Sequence, residues 1–117
     1  MRTQKIFLST LFLFYFFINA MAQKGNPTGL KTESIKVWGN CGMCKKKIEK
    51  AAYSKNIIAA NWNEDTKMLL IKYRFGATSS DAVQQAVAAA GYDTEKFTAS
   101  DEAYNKLTVC CLYNRKK

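Results

Sequence analysis

The 117-residue sequence predicts an α+β plait, because three stretches alternate apolar and polar residues, two others repeat apolar residues at helical spacing, and turn formers separate them. The order is strand, helix, strand, strand, helix, and a short final strand. That is the ferredoxin-like βαββαβ arrangement, a four-stranded antiparallel sheet with two helices on one face.

The first strand opens at Glu33, where Ile35 and Val37 alternate with Ser34, Lys36 and Trp38. Gly39 and Asn40 interrupt it, and Lys45 to Tyr53 reads as a helix with Ile48, Ala51 and Ala52 on its buried face. Ile58, Ala60 and Trp62 make a second strand, and Leu69, Ile71 and Tyr73 a third. The turn cluster Asn63-Glu64-Asp65-Thr66 joins these two into a hairpin. Thr78, Ser79 and Ser80 offer capping oxygens for a second helix, with Asp81 in its first turn. Val83, Ala86, Val87 and Ala90 form its apolar stripe, and Gly91 ends it. Glu95 to Ala99 is expected to be the fourth strand, and Asp101 to Leu107 a further helical turn. Trp38, Trp62 and Met68 are expected as sheet residues.

Ahead of this block, Arg2 and Lys5 precede an apolar run from Ile6 to Ile18, and Ala20-Met21-Ala22 supplies a small-x-small cleavage pattern. The 13-residue run is short of the roughly 20 residues that span a bilayer. Residues 1–22 therefore read as a cleaved signal peptide, with no membrane anchor left afterwards. Gln23 to Thr32, with Gly25, Pro27 and Gly29, reads as a flexible leader, 33–99 as the folded domain and 100–117 as a tail. Export, and a periplasmic location where the host has an outer membrane, follow as expectations. Without Arg2 and Lys5 the net charge falls from +9 to +7. That charge suits an acidic protein surface, and export argues against nucleic acid.

The chemistry lies in four cysteines and the absence of histidine, which excludes mixed Cys/His zinc sites and every His-based catalytic arrangement. Cys41 and Cys44 sit between the first strand and the first helix. Two intervening residues let both sulfurs converge, and the helix N-terminus favours their thiolate forms. Lys45, Lys46 and Lys47 add positive charge nearby, and each taken singly reads as part of a solvated helix face. Two thiolates suit a soft ion such as Cu(I) or Hg(II), whereas Zn(II) wants four ligands. Cys110 and Cys111 stand open between extra ligands, cross-links and free thiols.

Cys41-x-x-Cys44 after a first strand, a Lys-rich helix, and Ala90-Gly91-Tyr92 after the second helix resemble the heavy-metal-associated domain family over roughly Glu33 to Ala99. Small copper chaperones and periplasmic mercury-binding proteins belong to that family. The resemblance implies the ferredoxin-like plait, one ion held by Cys41 and Cys44, and Tyr92 close to the metal loop. The family's methionine two residues before the first cysteine is replaced by Gly39, and Met43 lies between the cysteines instead.

Together these readings describe a non-enzymatic, exported carrier of a soft ion, Cu(I) first and Hg(II) or Zn(II) next, monomeric without metal. Its partner would be a metal-transporting or metal-accepting protein with thiolate ligands and an acidic surface. Two other readings stand beside it: a thiol–disulfide redox protein, and a module that the cysteines merely staple together.

Overall fold

A computed structural model describes residues 29–116; the expected signal peptide and most of the expected leader lie outside them. Leu30 to Thr32, read above as the end of the leader, already belong to the first strand. The elements are β1 (Leu30–Lys36), α1 (Gly42–Tyr53), β2 (Ala59–Trp62), β3 (Met68–Arg74), α2 (Ser80–Ala89) and α3 (Asp101–Asn105), followed by a 3₁₀ turn at Val109–Cys111. No helix among the described residues is long and apolar enough to cross a membrane.

The antiparallel sheet has the order β1-β3-β2, with Ile35 opposite Leu69 on one side and Trp62 opposite Leu69 on the other. On β3, Leu69, Ile71 and Tyr73 point inward and are buried, while Leu70, Lys72 and Arg74 face solvent, as the two-residue period demands. The hairpin turn is fixed by Asn63, whose Oδ1 accepts from the amides of Asp65 (2.8 Å) and Thr66 (2.9 Å). Ile58 is the exception to the expected alternation. It is 48% exposed, and Ile57 takes the inward place, after Asn56 turns the chain with a φ of 59°.

Both long helices bury one stripe against the same sheet face: Cys44, Ile48 and Ala52 from α1, and Val83, Gln84, Val87 and Ala88 from α2. The Ser79 hydroxyl caps α2 by accepting from the Ala82 amide (3.1 Å), with Asp81 in the first turn. Gly91, at φ 108°, ends it.

The four-stranded sheet is a correction: the described residues contain three strands. Glu95 to Ala99 is not a strand. The chain pairs with the far edge of β1 only at the isolated bridge Val37–Thr94, through Trp38 N–H to Asp93 O (2.9 Å) and Glu95 N–H to Lys36 O (3.1 Å). Beyond that, side chains capture the donors a ladder would use. Gln84 Oε1 takes the Lys96 amide, Thr94 Oγ1 the Phe97 amide and Asp93 Oδ1 the Ala99 amide. The turn so formed delivers the chain to α3, which Ser100 caps.

Candidate metal centre

The loop Val37–Cys41 is held at both ends. The Val37 amide donates to Lys67 O (2.9 Å), and Asn40 Nδ2 donates to Cys110 O (3.1 Å). Cys41 is the N-cap of α1, in extended conformation, and its side chain caps nothing. Cys44 lies in the first turn, on the same stripe as Ile48 and Ala52, and is fully buried. Their sulfurs are 4.0 Å apart. Both sit where unpaired amides and the positive end of the helix dipole favour negative charge, and the first turn contains no acid to compete for it.

A third sulfur joins them. The 3₁₀ turn at Val109–Cys111 points the two adjacent thiols in opposite directions, leaving Cys110 exposed and Cys111 buried. Sγ of Cys41, Cys44 and Cys111 all lie within 4.8 Å of one another, and all four cysteines are free thiols. Cys41 is half-exposed, so the cluster opens to solvent on its side.

The tail carrying Cys111 is clamped to the domain. Arg115 forms a two-pronged pair with buried Asp93 (Nη2 to Oδ1 2.9 Å, Nε to Oδ2 3.1 Å) and reaches Asp101 with its third nitrogen. The Tyr113 hydroxyl accepts from the Asp93 amide and donates to Gly91 O, each at 2.8 Å. Its ring stacks on Tyr92 and meets the edge of Tyr104.

Burial pushes the Cys44 thiol up, and Cys111 beside it adds to the rise. Burial acts on Cys111 in the same direction but is outweighed by the neighbouring side chains of Cys44, Thr108, Tyr92 and Cys110, which bring it down to about 7. The two neighbours are thus shifted in opposite directions, Cys44 up and Cys111 down. Tyr92 is buried near both and kept protonated by that burial and by the two sulfurs. Its hydroxyl is the one buried side-chain polar atom without a partner among the described residues. The donor set, three sulfurs and no histidine, fits a soft cation.

No family model matches the chain, and no curated protein matches it. Among solved structures it is similar to a CopZ metallochaperone, at 24% identity and a TM-score of 0.52, over 55% of this chain and 98% of that one. It is also similar to the water-soluble region of the P-type ATPase CopA from Bacillus subtilis, at 26% identity and a TM-score of 0.53. That match covers 57% of this chain and 46% of the CopA region, so the chain spans about half its length. The fold is the heavy-metal-associated one.

Four features of this domain go beyond the sequence reading. Cys111 belongs to the sulfur cluster, buried between exposed Cys110 and Leu112, and no local pattern in the sequence marks it. Lys45 is not a free cation of the loop; it folds back onto Glu49, Asn61 Oδ1 and the Trp62 carbonyl. The space beside Gly39 is filled by the indole of Trp62 from β2, which donates to Val37 O (3.0 Å). Met43 meanwhile is half-exposed and reaches the tail, not the core.

Proposed function

We propose that the protein binds a soft metal ion, Cu(I) first, through Cys41, Cys44 and Cys111, and passes it to another protein. The observation that carries this reading is the three-sulfur cluster at a helix N-terminus, with no histidine in the chain. Three thiolates around an ion with bonds of about 2.3 Å would stand about 4 Å apart, matching the 4.0 Å between Cys41 and Cys44. Zn(II) would need a fourth ligand that the cluster does not hold. Hg(II) shares the preference for sulfur.

In this reading the protein is a carrier and no enzyme. Cys41, at the open side, is the sulfur a partner's thiolate reaches first, and the ion moves by exchange of shared ligands. The buried pair Cys44 and Cys111 holds it meanwhile. Lys47 and Lys50 line one surface depression between α1 and α3, where Lys106 pairs with Glu102, and suit an acidic docking face. The likeness to part of a P-type ATPase supports a metal-transporting protein as that partner. Export, read from Arg2 to Ala22, completes the proposal.

The test is competition between the reduced protein and a chromophoric Cu(I) chelator, for wild type and Cys41→Ser. The variant should lose more than about a hundredfold in affinity, beyond what removal of an outer hydrogen bond produces. Equal affinities would place the ligands elsewhere, and failure of the wild type to compete at all would end the metal reading.

A further inference from the structure

Outside the three-sulfur cluster, two soft sulfurs and a hydroxyl meet at the surface. Met43, displaced into the metal loop, reaches Cys110 and Thr108 on the tail. Cys110 Sγ lies 3.6 Å from Met43 Sδ, Thr108 Oγ1 lies 3.6 Å from Met43 Sδ, and Thr108 Oγ1 lies 3.6 Å from Cys110 Sγ. The three atoms make an equilateral triangle. Its centre is about 2.1 Å from each, close to the ~2.3 Å of a metal–thiolate bond, so an ion bound there would rise slightly out of the plane.

The surroundings favour that outcome. Met43 is 49% exposed and Cys110 and Thr108 are exposed, so the triangle opens to solvent. The partners of the Met43 sulfur are a hydroxyl and a thiol. The backbone holds the group against the inner cluster, because Cys110 O accepts from both Asn40 Nδ2 (3.1 Å) and the Cys41 thiol (3.5 Å). One thiolate, one thioether and one hydroxyl select a soft monovalent cation and bind it more weakly than three thiolates do.

We propose that Met43, Cys110 and Thr108 form a second, outer site for a soft monovalent ion, Cu(I) or Ag(I), at the mouth of the inner cluster. On capture the Cys110 thiol gives its proton to water, while the Met43 thioether and the Thr108 hydroxyl bind as neutral ligands. In the transfer inward, the sulfur of Cys41 loses its own proton to water and takes the ion, Cys110 lets the ion go and takes a proton back from water, and Met43 and Thr108 leave it unchanged. No oxidation state alters. The assignment rests on the soft-metal reading of Cys41, Cys44 and Cys111.

The test is titration of the reduced full chain with Ag(I), read by native mass spectrometry and by competition with a thiol chelator. Wild type should take two equivalents, the second at least about tenfold weaker, as a donor set poorer in thiolates requires. Met43→Leu/Cys110→Ser should take only the first, and each single variant should weaken the second; unchanged thermal midpoints would show that all are folded. A second equivalent that persists in the double variant overturns the proposal, as does a wild type that stops at one. A single equivalent weakened by Cys110→Ser but not by Met43→Leu overturns it too, placing Cys110 in the inner cluster. Cys41→Ser/Cys44→Ser reads the other hypothesis separately: if the tight first equivalent survives there, the inner reading fails whatever the second equivalent does.

Discussion

Replacing Gly39 with alanine places a methyl group 2.9 Å from Trp62 Cζ2 and 3.0 Å from both Trp62 Cη2 and Ile48 Cδ1. Atoms at such distances have to separate by several tenths of an ångström, and neither neighbour can do so freely. Trp62 is 1% exposed, and its indole N–H is committed to Val37 O in the buried strand end. Ile48 is wholly buried on the inner stripe of α1. Overpacking of this kind costs about 1–3 kcal/mol. At roughly 4–8 °C per kcal/mol for a domain of this size, the melting temperature should fall by about 4–24 °C. Urea denaturation followed by Trp fluorescence gives the free energy directly. Trp62→Phe by itself should destabilise, but in the Gly39→Ala background it should cost less than in the wild type, because the smaller ring makes room for the methyl. Gly39→Ala with an unchanged urea midpoint, or purely additive effects in the pair, would refute the claim that the indole occupies the space beside position 39.

Cys111→Ser should reduce Cu(I) affinity by more than about tenfold while leaving two thiolates in place, and a chelator competition would show it; equal affinity would make Cys111 a packing residue. Tyr113→Phe leaves the Asp93 amide and Gly91 carbonyl buried without partners, so urea denaturation should show a loss of about 1–3 kcal/mol. Burial alone would raise the Asp93 carboxyl, but Arg115 and the amides of Ala99 and Lys116 outweigh it and hold it below its ordinary value. A depressed carboxylate stabilises the fold above its unfolded value, about 4, and loses that contribution as the pH falls through the lower folded value, so denaturation midpoints should drop below about pH 4 in wild type and less steeply in Asp93→Asn.

The legible part of the fold was the part set by local periodicity. Leu69, Ile71 and Tyr73 alternate, Ile48 and Ala52 share a helix face, and Ser79 stands where a cap is needed; each is decided within a few residues. The fourth strand failed because one of its three competitors comes from another element. Gln84 comes from α2, and it draws the Lys96 amide away from any ladder along β1. The same holds at the site. Cys41 and Cys44 are close in sequence and could be paired on spacing, but nothing near Cys111 says that it returns to them. That return depends on Arg115 finding Asp93, 22 residues away, and on Tyr113 finding Tyr92. Gly39 illustrates a third limit: the missing methionine is visible in the sequence, whereas the indole that fills its space arrives from β2.

The clamp on the tail bears on how the third thiolate acts. A ligand on a free segment would have to be ordered each time an ion is captured, at a conformational cost that weakens binding. Here Asp93, Tyr113 and Arg115 order the tail through contacts that do not involve the sulfurs, so Cys111 is in place before any ion arrives. The same contacts make truncation a poor probe of the ligand. Removing Arg115 leaves Asp93 buried without its cation, a loss of about 3–5 kcal/mol that would disturb the whole domain. Point substitution of the sulfur is the change that separates the two roles of the tail. The sulfurs need not move to meet the ion, but Cys41 must remain free to exchange it. The cluster is built accordingly, with two sulfurs fixed in the core and one at the surface.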